Sequence, residues 1–220
     1  MTGCAPCATR ALQREWQRVG RSALLQTGGA ALLEGLFAPD VLKALLQEAL
    51  QGPAHASHVP AGQDTEQLRG GLPARQLLSV DGGVQQQALY AAPALVALVG
   101  GYARSPVRPC GMQASYSVYR DAGDHLDVHR DVRGCDLALI TCLHDNDPHA
   151  DGGCTELWPQ DALTPLDTLR NGGGGPVLRL ALLPGQSMLL HGGVLPHRIV
   201  PTQAGRVRIV SLMCFEMLAD

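Results

Sequence analysis

The sequence lacks a basic surplus and a long apolar run. Lysine and arginine number 17 against 20 aspartates and glutamates, and lysine occurs only at Lys43. With a formal net charge of -3, the chain has no field that would attract nucleic acid or anionic lipid. No apolar stretch approaches the ~18 residues of a membrane span, and no charged segment followed by an apolar one suggests a signal peptide. We therefore expect a cytoplasmic protein with no nucleic-acid or membrane partner, whose oligomeric state stays open.

An even set of cysteines, as in small disulfide-rich secreted domains, is also missing. The chain has seven, at positions 4, 7, 110, 135, 142, 154 and 214. This odd, scattered set predicts reduced thiols. Cys4 and Cys7 form half of a zinc or redox signature, but no second pair follows at the spacing of a zinc finger. We assign no function to that pair.

The first 110 residues carry mostly helical patterns. Apolar residues recur at helical spacing in 8–19 and 39–50, and the second segment begins with Pro39, which the first turn of a helix tolerates. The segment 52–73 is rich in glycine, proline, alanine and histidine, and it predicts a loop long enough to be a lid or binding element. A strand is predicted at 75–80, and short helices at 84–91 and 93–102.

From residue 112 onward the pattern changes to short runs rich in β-branched and apolar residues, separated by Gly, Pro, Asn and Asp. Strands are predicted at 113–120, 124–130, 136–143, 154–158, 177–182, 187–191, 197–200 and 206–215. Their regular spacing indicates a double-sheet jelly roll, or double-stranded β-helix. We expect one α+β, mainly β domain over 1–220, with supporting helices and entrance loops in 1–110 and the catalytic core in 111–217.

Two His-x-Asp pairs, His125/Asp127 and His129/Asp131, follow one another within the predicted strand 124–130 and its end. Strand side chains two positions apart point to the same face, so either pair could bind one metal ion from one side. A second histidine from a neighbouring strand would complete a 2-His-1-carboxylate site, which leaves coordination positions open for catalysis. Alternation alone does not choose between the pairs.

Several residues in fixed order extend this motif: Tyr119, Gly123, His129, Asp131, Gly152-Gly153-Cys154-Thr155, Pro184-Gly185, His197-x-x-x-Pro201 and Gly205-Arg206-x-Arg208. Their order and spacing resemble the iron(II)- and 2-oxoglutarate-dependent oxygenases, and most closely the prolyl-hydroxylase-like branch. The resemblance covers residues 112 to 216.

For the metal, the resemblance implies His129 and Asp131 rather than His125 and Asp127. In that branch a tyrosine precedes the metal histidine by nine or ten residues and a glycine by six, as Tyr119 and Gly123 precede His129. His197 matches the distal ligand better than His191, because an x-x-x-Pro element follows it. The other candidates are then pocket-wall or neighbouring residues.

For the co-substrate, the resemblance implies a basic residue that holds the distal carboxylate of 2-oxoglutarate, and arginine can do so through two charge-assisted hydrogen bonds. Arg206 and Arg208 are both candidates, at 9 and 11 positions after His197 and on one predicted strand face. Tyr119 would donate its hydroxyl to the same carboxylate.

The resemblance therefore implies a dioxygenase that uses Fe(II), 2-oxoglutarate and O2 to hydroxylate an unactivated carbon of a small amino acid or natural-product intermediate, releasing succinate and CO2. Because Asp131 keeps the carboxylate that halogenating relatives lack, halogenation is disfavoured, whereas desaturation, epoxidation and cyclisation stay open because the same oxidant can serve them. Two alternatives stay open. One is a cupin-like metal enzyme that does not use 2-oxoglutarate, and the other is a non-enzymatic jelly-roll binding protein.

Overall fold

The computed structural model describes Gln13 and residues 22–63, 65–66, 69 and 71–218. The predicted helix 8–19 and the Cys4/Cys7 pair lie outside these residues, apart from Gln13 itself. The helices are α1 (Ala23–Gln26), α2 (Pro39–Gln51), α3 (Val84–Tyr90), α4 (Pro93–Ala103) and α5 (Leu166–Arg170). Among the described residues, none of the helices combines the length and apolarity needed to cross a bilayer.

Strands dominate the described chain. They are β1 (Ala30–Leu33), β2 (Ala54–Val59), β3 (Thr65–Glu66), β4 (Gly71–Leu72), β5 (Arg75–Asp81), β6 (Val107–Pro109), β7 (Ser115–Tyr119), β8 (His125–His129), β9 (Leu137–Asp145), β10 (Thr155–Leu157), β11 (Leu178–Leu180), β12 (Ser187–Leu190), β13 (His197–Ile199) and β14 (Arg208–Met217). Each of the eight strands predicted after residue 112 is present, with its ends within two residues of those expected.

The strands form an antiparallel jelly roll. One continuous path runs β1-β12-β9-β14-β7-β5-β8-β13-β10-β11, with β2 added beside β5 and β6 beside β14. The path curls between β5 and β8, which divides it into two facing parts. The longer part is β1-β12-β9-β14-β7-β5 and the shorter part is β8-β13-β10-β11, and residues from both line a central cavity. The predicted jelly-roll fold is confirmed.

Helix α2 covers the outer face of the longer part. Leu45 and Ala49 are buried in one cluster with Tyr116 and Ile209, which alternate with cavity-facing residues along β7 and β14. Glu48 fixes the helix further, since its carboxylate accepts hydrogen bonds from the Tyr116 hydroxyl at 2.6 Å and from three backbone N–H groups at the start of α3. The N-terminal half thereby supports the sheet from outside.

The prediction of a loop over 52–73 is wrong in part. Residues 54–59 form β2, which pairs in register with β5, and β3 and β4 pair in a small separate sheet. Most of β2 is exposed, and Val59 is its only large apolar residue, so the strand has no strong apolar pattern. Backbone pairing with β5, which the sequence pattern does not report, holds it in place.

The prediction that all cysteines are reduced is also wrong. Cys135, at the start of the segment that leads into β9, forms a disulfide with Cys214 in β14, 79 residues later. The odd total of seven cysteines argued against a disulfide framework. One pair is nevertheless bonded, while Cys110, Cys142 and Cys154 remain free thiols. The disulfide sulfur of Cys135 lies 3.6 Å from Oδ2 of Asp131.

Reducing this disulfide is expected to lower the free energy of unfolding by about 2–4 kcal/mol, because the bond closes a long loop in the unfolded chain. Urea unfolding with and without dithiothreitol measures the difference. Cys154→Ser serves as the control, and it should show the same loss on reduction. An unfolding free energy that reductant leaves unchanged in both proteins would contradict the structural role of the bond.

Candidate metal centre

Three predicted ligands meet at the cavity. His129 ends β8 and His197 begins β13, and the two residues face each other across the paired strands. Oδ1 of Asp131 lies 3.6 Å from Nε2 of His129 and 3.7 Å from Nε2 of His197. One donor atom from each residue falls within 4.8 Å of the others, which is close enough for a single metal ion. The donor set is two imidazoles and one carboxylate, as a facial triad requires.

Backbone carbonyls set the tautomer of both histidines. Nδ1 of His129 lies 2.8 Å from the carbonyl oxygen of Asp127, and Nδ1 of His197 lies 2.9 Å from that of Leu195. A carbonyl oxygen only accepts hydrogen bonds, so each Nδ1 carries the proton. Each Nε2 therefore presents its lone pair to the centre of the cluster, as a metal ligand must.

The electrostatics keep His197 and Asp131 in the protonation states that bind a metal. Burial first, and then the neighbouring His129, lower the pKa of His197 to about 4 against the opposing effect of Asp131, so the ring is neutral at pH 7. Burial alone would raise the pKa of Asp131, but His197 and His129, together with Arg69, bring it below its usual value. Neutral imidazoles and an ionised carboxylate are the forms that bind a divalent cation.

Two residues that the sequence reasoning missed hold the Asp131 segment in place. Arg69 is buried, pairs with Asp136 at 2.8 Å and donates to the carbonyl oxygens of Val132 and Cys135, which secures the turn after Asp131. A Cβ at Gly192 would collide with the Asp131 carboxylate, and the Gly192 carbonyl accepts the Asp131 N–H at 2.9 Å. A lone arginine within a glycine-rich segment gave no signal of this role.

The rival histidines and carboxylate lie elsewhere. Nδ1 of His125 is bound to the Gly123 carbonyl, and Asp127 accepts the Val128 N–H at 2.7 Å and lies 3.7 Å from Arg170. His191 is fully buried, outside the three-residue cluster. Regular alternation would put both His-x-Asp pairs on one strand face, but the β8–β13 register shifts between Ile199 and His197 and β8 ends at His129, which separates the two pairs.

The structure separates the two candidate arginines. Arg208 is 1 % exposed and lines the cavity with the three metal-site residues. Its Nη1 and Nη2 atoms are buried and have no hydrogen-bond partner, and its Nε lies 3.8 Å from Asp145. A guanidinium buried with two unused donor groups is costly unless an anion binds there.

Arg206, by contrast, is fully engaged. Its Nε and Nη2 donate to the two oxygens of Asp145 at 3.0 and 2.7 Å, and Nη1 donates to the Gly152 carbonyl. The expectation that both arginines share one strand face is wrong, since β14 begins at Arg208 and Arg206 lies in the preceding turn, which Gly205 makes at φ +81°.

Hydroxyl groups complete the lining around Arg208. Tyr119 is buried beside it, with the Arg208 Cζ 5.8 Å from the ring centroid, and burial raises the pKa of the Tyr119 hydroxyl so that it stays protonated. Thr155 is fully buried, lines the same cavity, and its Oγ1 has no hydrogen-bond partner. The sequence reasoning quoted Thr155 within a motif but gave it no role, and a polar residue inside a short buried strand was the available signal.

No family model matches the sequence, and no curated protein matches it. Solved structures do match its fold. A Pseudomonas putida prolyl-4-hydroxylase has 18 % identity over 91 % of this chain and 99 % of its own, with a TM-score of 0.57. A Burkholderia pseudomallei oxidoreductase of the 2OG-Fe(II) oxygenase family has 13 % identity over 89 % and 88 %, with a TM-score of 0.62.

The non-heme α-ketoglutarate-dependent epimerase SnoN, from nogalamycin biosynthesis, matches with 17 % identity over 96 % of this chain and 84 % of its own, at a TM-score of 0.60. Hydroxylases and an epimerase thus share this architecture. The predicted resemblance is confirmed at the level of the fold: the chain has the double-stranded β-helix of the iron(II)/2-oxoglutarate-dependent oxygenases, prolyl hydroxylases among them.

Proposed function

We propose that the protein is an iron(II)- and 2-oxoglutarate-dependent oxygenase that hydroxylates an unactivated carbon of a small amino acid or natural-product intermediate. The observation that carries the proposal is the pairing, in one cavity, of a His-Asp-His cluster with a buried arginine whose terminal nitrogens have no partner. A metal site alone would not require that arginine, and a structural arginine would be paired.

The residues fit iron(II). His129 and His197 offer neutral Nε2 atoms, and Asp131 offers one carboxylate oxygen, so three protein ligands would leave the remaining coordination positions open. When both are bound, iron(II) and 2-oxoglutarate would allow O2 to act as the oxidant: one of its oxygen atoms would convert a C–H bond into C–OH, and the other would enter the succinate that forms as 2-oxoglutarate loses CO2. The role of this chain is to hold the ligands in place and to exclude water from the cavity.

The cavity also fits a dicarboxylate. Arg208 offers two N–H donor groups for a distal carboxylate, and the hydroxyls of Tyr119 and Thr155 lie on the same lining. Apolar side chains from both faces line the space between Arg208 and the His-Asp-His cluster: Leu126, Ala138, Ile140, Ile199, Val210 and Leu212. Such a lining suits the methylene groups of a short diacid.

The cupin-like alternative is less well supported. Such sites commonly use three histidines and have no arginine that binds a co-substrate, whereas this cluster has a carboxylate as one of its three members and Arg208 in the same cavity. A small-molecule substrate is supported by SnoN, which acts in the biosynthesis of a natural product. Hydroxylation is the simplest outcome for this donor set.

Reconstitution under oxygen tests the proposal. Purified protein is supplied with iron(II) and 2-oxoglutarate, and succinate is quantified by mass spectrometry. We expect succinate that depends on both iron and oxygen, slowly without a substrate and faster with one. Bound iron without any conversion of 2-oxoglutarate, across a broad set of amino acids and their derivatives, would favour the cupin-like alternative instead.

Thr155→Val is expected to raise the KM for 2-oxoglutarate roughly 10- to 100-fold, the effect of losing one hydrogen bond to a charged group. Stability should hold or rise slightly, because the hydroxyl is buried without a partner. Thr155→Ser keeps the hydroxyl and should restore most of the affinity. An unchanged KM in Thr155→Val would remove Thr155 from the co-substrate site.

A further inference from the structure

Arg75 lies close to the cavity but has no role in the proposed chemistry. It begins β5 and lies directly opposite Leu126 of β8, a cavity-lining residue three positions before His129. The Asp127 N–H donates to the Ala74 carbonyl at 2.8 Å, which ties this end of β5 to the strand that carries the metal histidine.

The side chain of Arg75 belongs to the inner face of the sheet. Paired residues in antiparallel strands share a face, and so do residues two apart along one strand. Arg75 pairs with Leu126, and Ser79, four positions along β5, pairs with Ser117, which also lines the cavity. Both pairings therefore assign Arg75 to the face that borders the cavity.

Within the part of the chain that the structure describes, the guanidinium of Arg75 has no hydrogen-bond or ion-pair partner. Its Nε is buried without a hydrogen-bond partner, and among the described residues no carboxylate lies within ion-pairing distance of it. Other arginines in this region are engaged, since Arg69 pairs with Asp136 and Arg206 with Asp145. Arg75 resembles Arg208 in this respect, but it is only half-buried, so its charge stays accessible from outside.

We propose that Arg75 binds a carboxylate of the primary substrate, so that the enzyme acts on a free acid and not on a neutral amide or peptide-bonded residue. The inference rests on the proposed function and names the substrate class of that site. A planar guanidinium with a single positive charge matches a carboxylate in geometry and charge, whereas a phosphate dianion would need a second cation. Its place opposite Leu126 would hold the acid group beside the strand that ends at His129.

Binding without turnover provides the test. Zinc replaces iron, 2-oxoglutarate is present, and the twenty common L-amino acids and their C-terminal amides are titrated by calorimetry. We expect at least one free acid to bind and its amide to bind at least about 10-fold more weakly. In Arg75→Gln the affinity for that acid should fall about 10- to 100-fold, the usual range for one charge-assisted pair. Arg75→Lys should lie between the two.

The control is Arg120→Gln, which removes an exposed arginine next to β7 and should leave the affinity for the acid unchanged. The affinity for 2-oxoglutarate should be the same in all variants. If it falls in Arg75→Gln, Arg75 binds the co-substrate and the inference is wrong. It is equally wrong if no free acid binds, if acid and amide bind alike, or if Arg75→Gln binds the acid like the wild type.

Failure of the inference and failure of the proposed function are separable. With iron in place, the wild type should form succinate slowly from 2-oxoglutarate without any substrate, and so should the Arg120→Gln control. Absence of succinate in the wild type itself would refute the oxygenase function. Normal basal turnover together with an unaltered response to acids in Arg75→Gln would refute the role of Arg75 alone.

Discussion

Asp131→Ala is expected to abolish iron-dependent turnover, with a loss of at least about 1000-fold, and to release most of the bound metal. Asp131 is the only carboxylate in the His-Asp-His cluster, and its Oδ1 lies within 3.7 Å of both Nε2 atoms. Without it the site would hold two neutral imidazoles and no compensating negative charge. Metal content by mass spectrometry and succinate formation measure the two effects, and His129→Ala should behave in the same way.

Asp127→Ala is the matched control. Asp127 belongs to the rival His-x-Asp pair, but its carboxylate contacts Arg170 and the Val128 N–H. We expect this variant to retain iron and most of its activity, with at most a modest loss of stability. A protein that loses iron through Asp127→Ala and keeps it in Asp131→Ala would show that the metal binds to the other pair.

Arg208→Gln is expected to raise the KM for 2-oxoglutarate at least about 100-fold while the protein stays folded. Its terminal nitrogens have no partner among the described residues, so removing them breaks no hydrogen bond there and relieves a buried charge. Two measurements check this prediction: the KM for 2-oxoglutarate should rise, and the free energy of unfolding in urea should not fall.

Arg206→Gln should give the opposite result. The Arg206–Asp145 pair is buried, with side-chain exposures of 3 % and 0 %. Breaking it leaves the Asp145 carboxylate with the Asp147 N–H at 3.1 Å and the Nε of Arg208 at 3.8 Å, and without a directly hydrogen-bonded cation. We expect a loss of about 3–5 kcal/mol in the free energy of unfolding and little change in the KM of the folded fraction. A large KM effect from Arg206→Gln with a normal KM in Arg208→Gln would exchange the two roles.

Most of the jelly-roll strands could be predicted because they bury at least one face and therefore carry a run of apolar residues. β9, with seven consecutive buried residues from Leu137 to Leu143, is readable as a strand from its composition alone. β2 could not be predicted, since most of its residues are exposed and only pairing with β5 defines it. The Cys135–Cys214 bond escaped for a similar reason, because it depends on a contact across 79 residues.

Within the site, the sequence-based predictions failed where they assumed that side chains alternate regularly between the two faces of a strand. That assumption placed Asp127 on the same face as His129, whereas the shifted β8–β13 register and the end of β8 at His129 separate them. It also placed Arg206 on the face of Arg208, although β14 begins only at Arg208. Spacing from Tyr119 and Gly123 chose the His-x-Asp pair that lies in the cluster, but no spacing could reveal which arginine already has Asp145 as a partner.

Anaerobic calorimetry measures 2-oxoglutarate binding to the iron(II)-loaded protein without turnover. We expect one binding site per chain, lost when iron is removed or in Asp131→Ala, and weakened at least about 100-fold in Arg208→Gln. Iron bound at the cluster without any binding of 2-oxoglutarate, or binding that Arg208→Gln leaves unchanged, would contradict the proposed function.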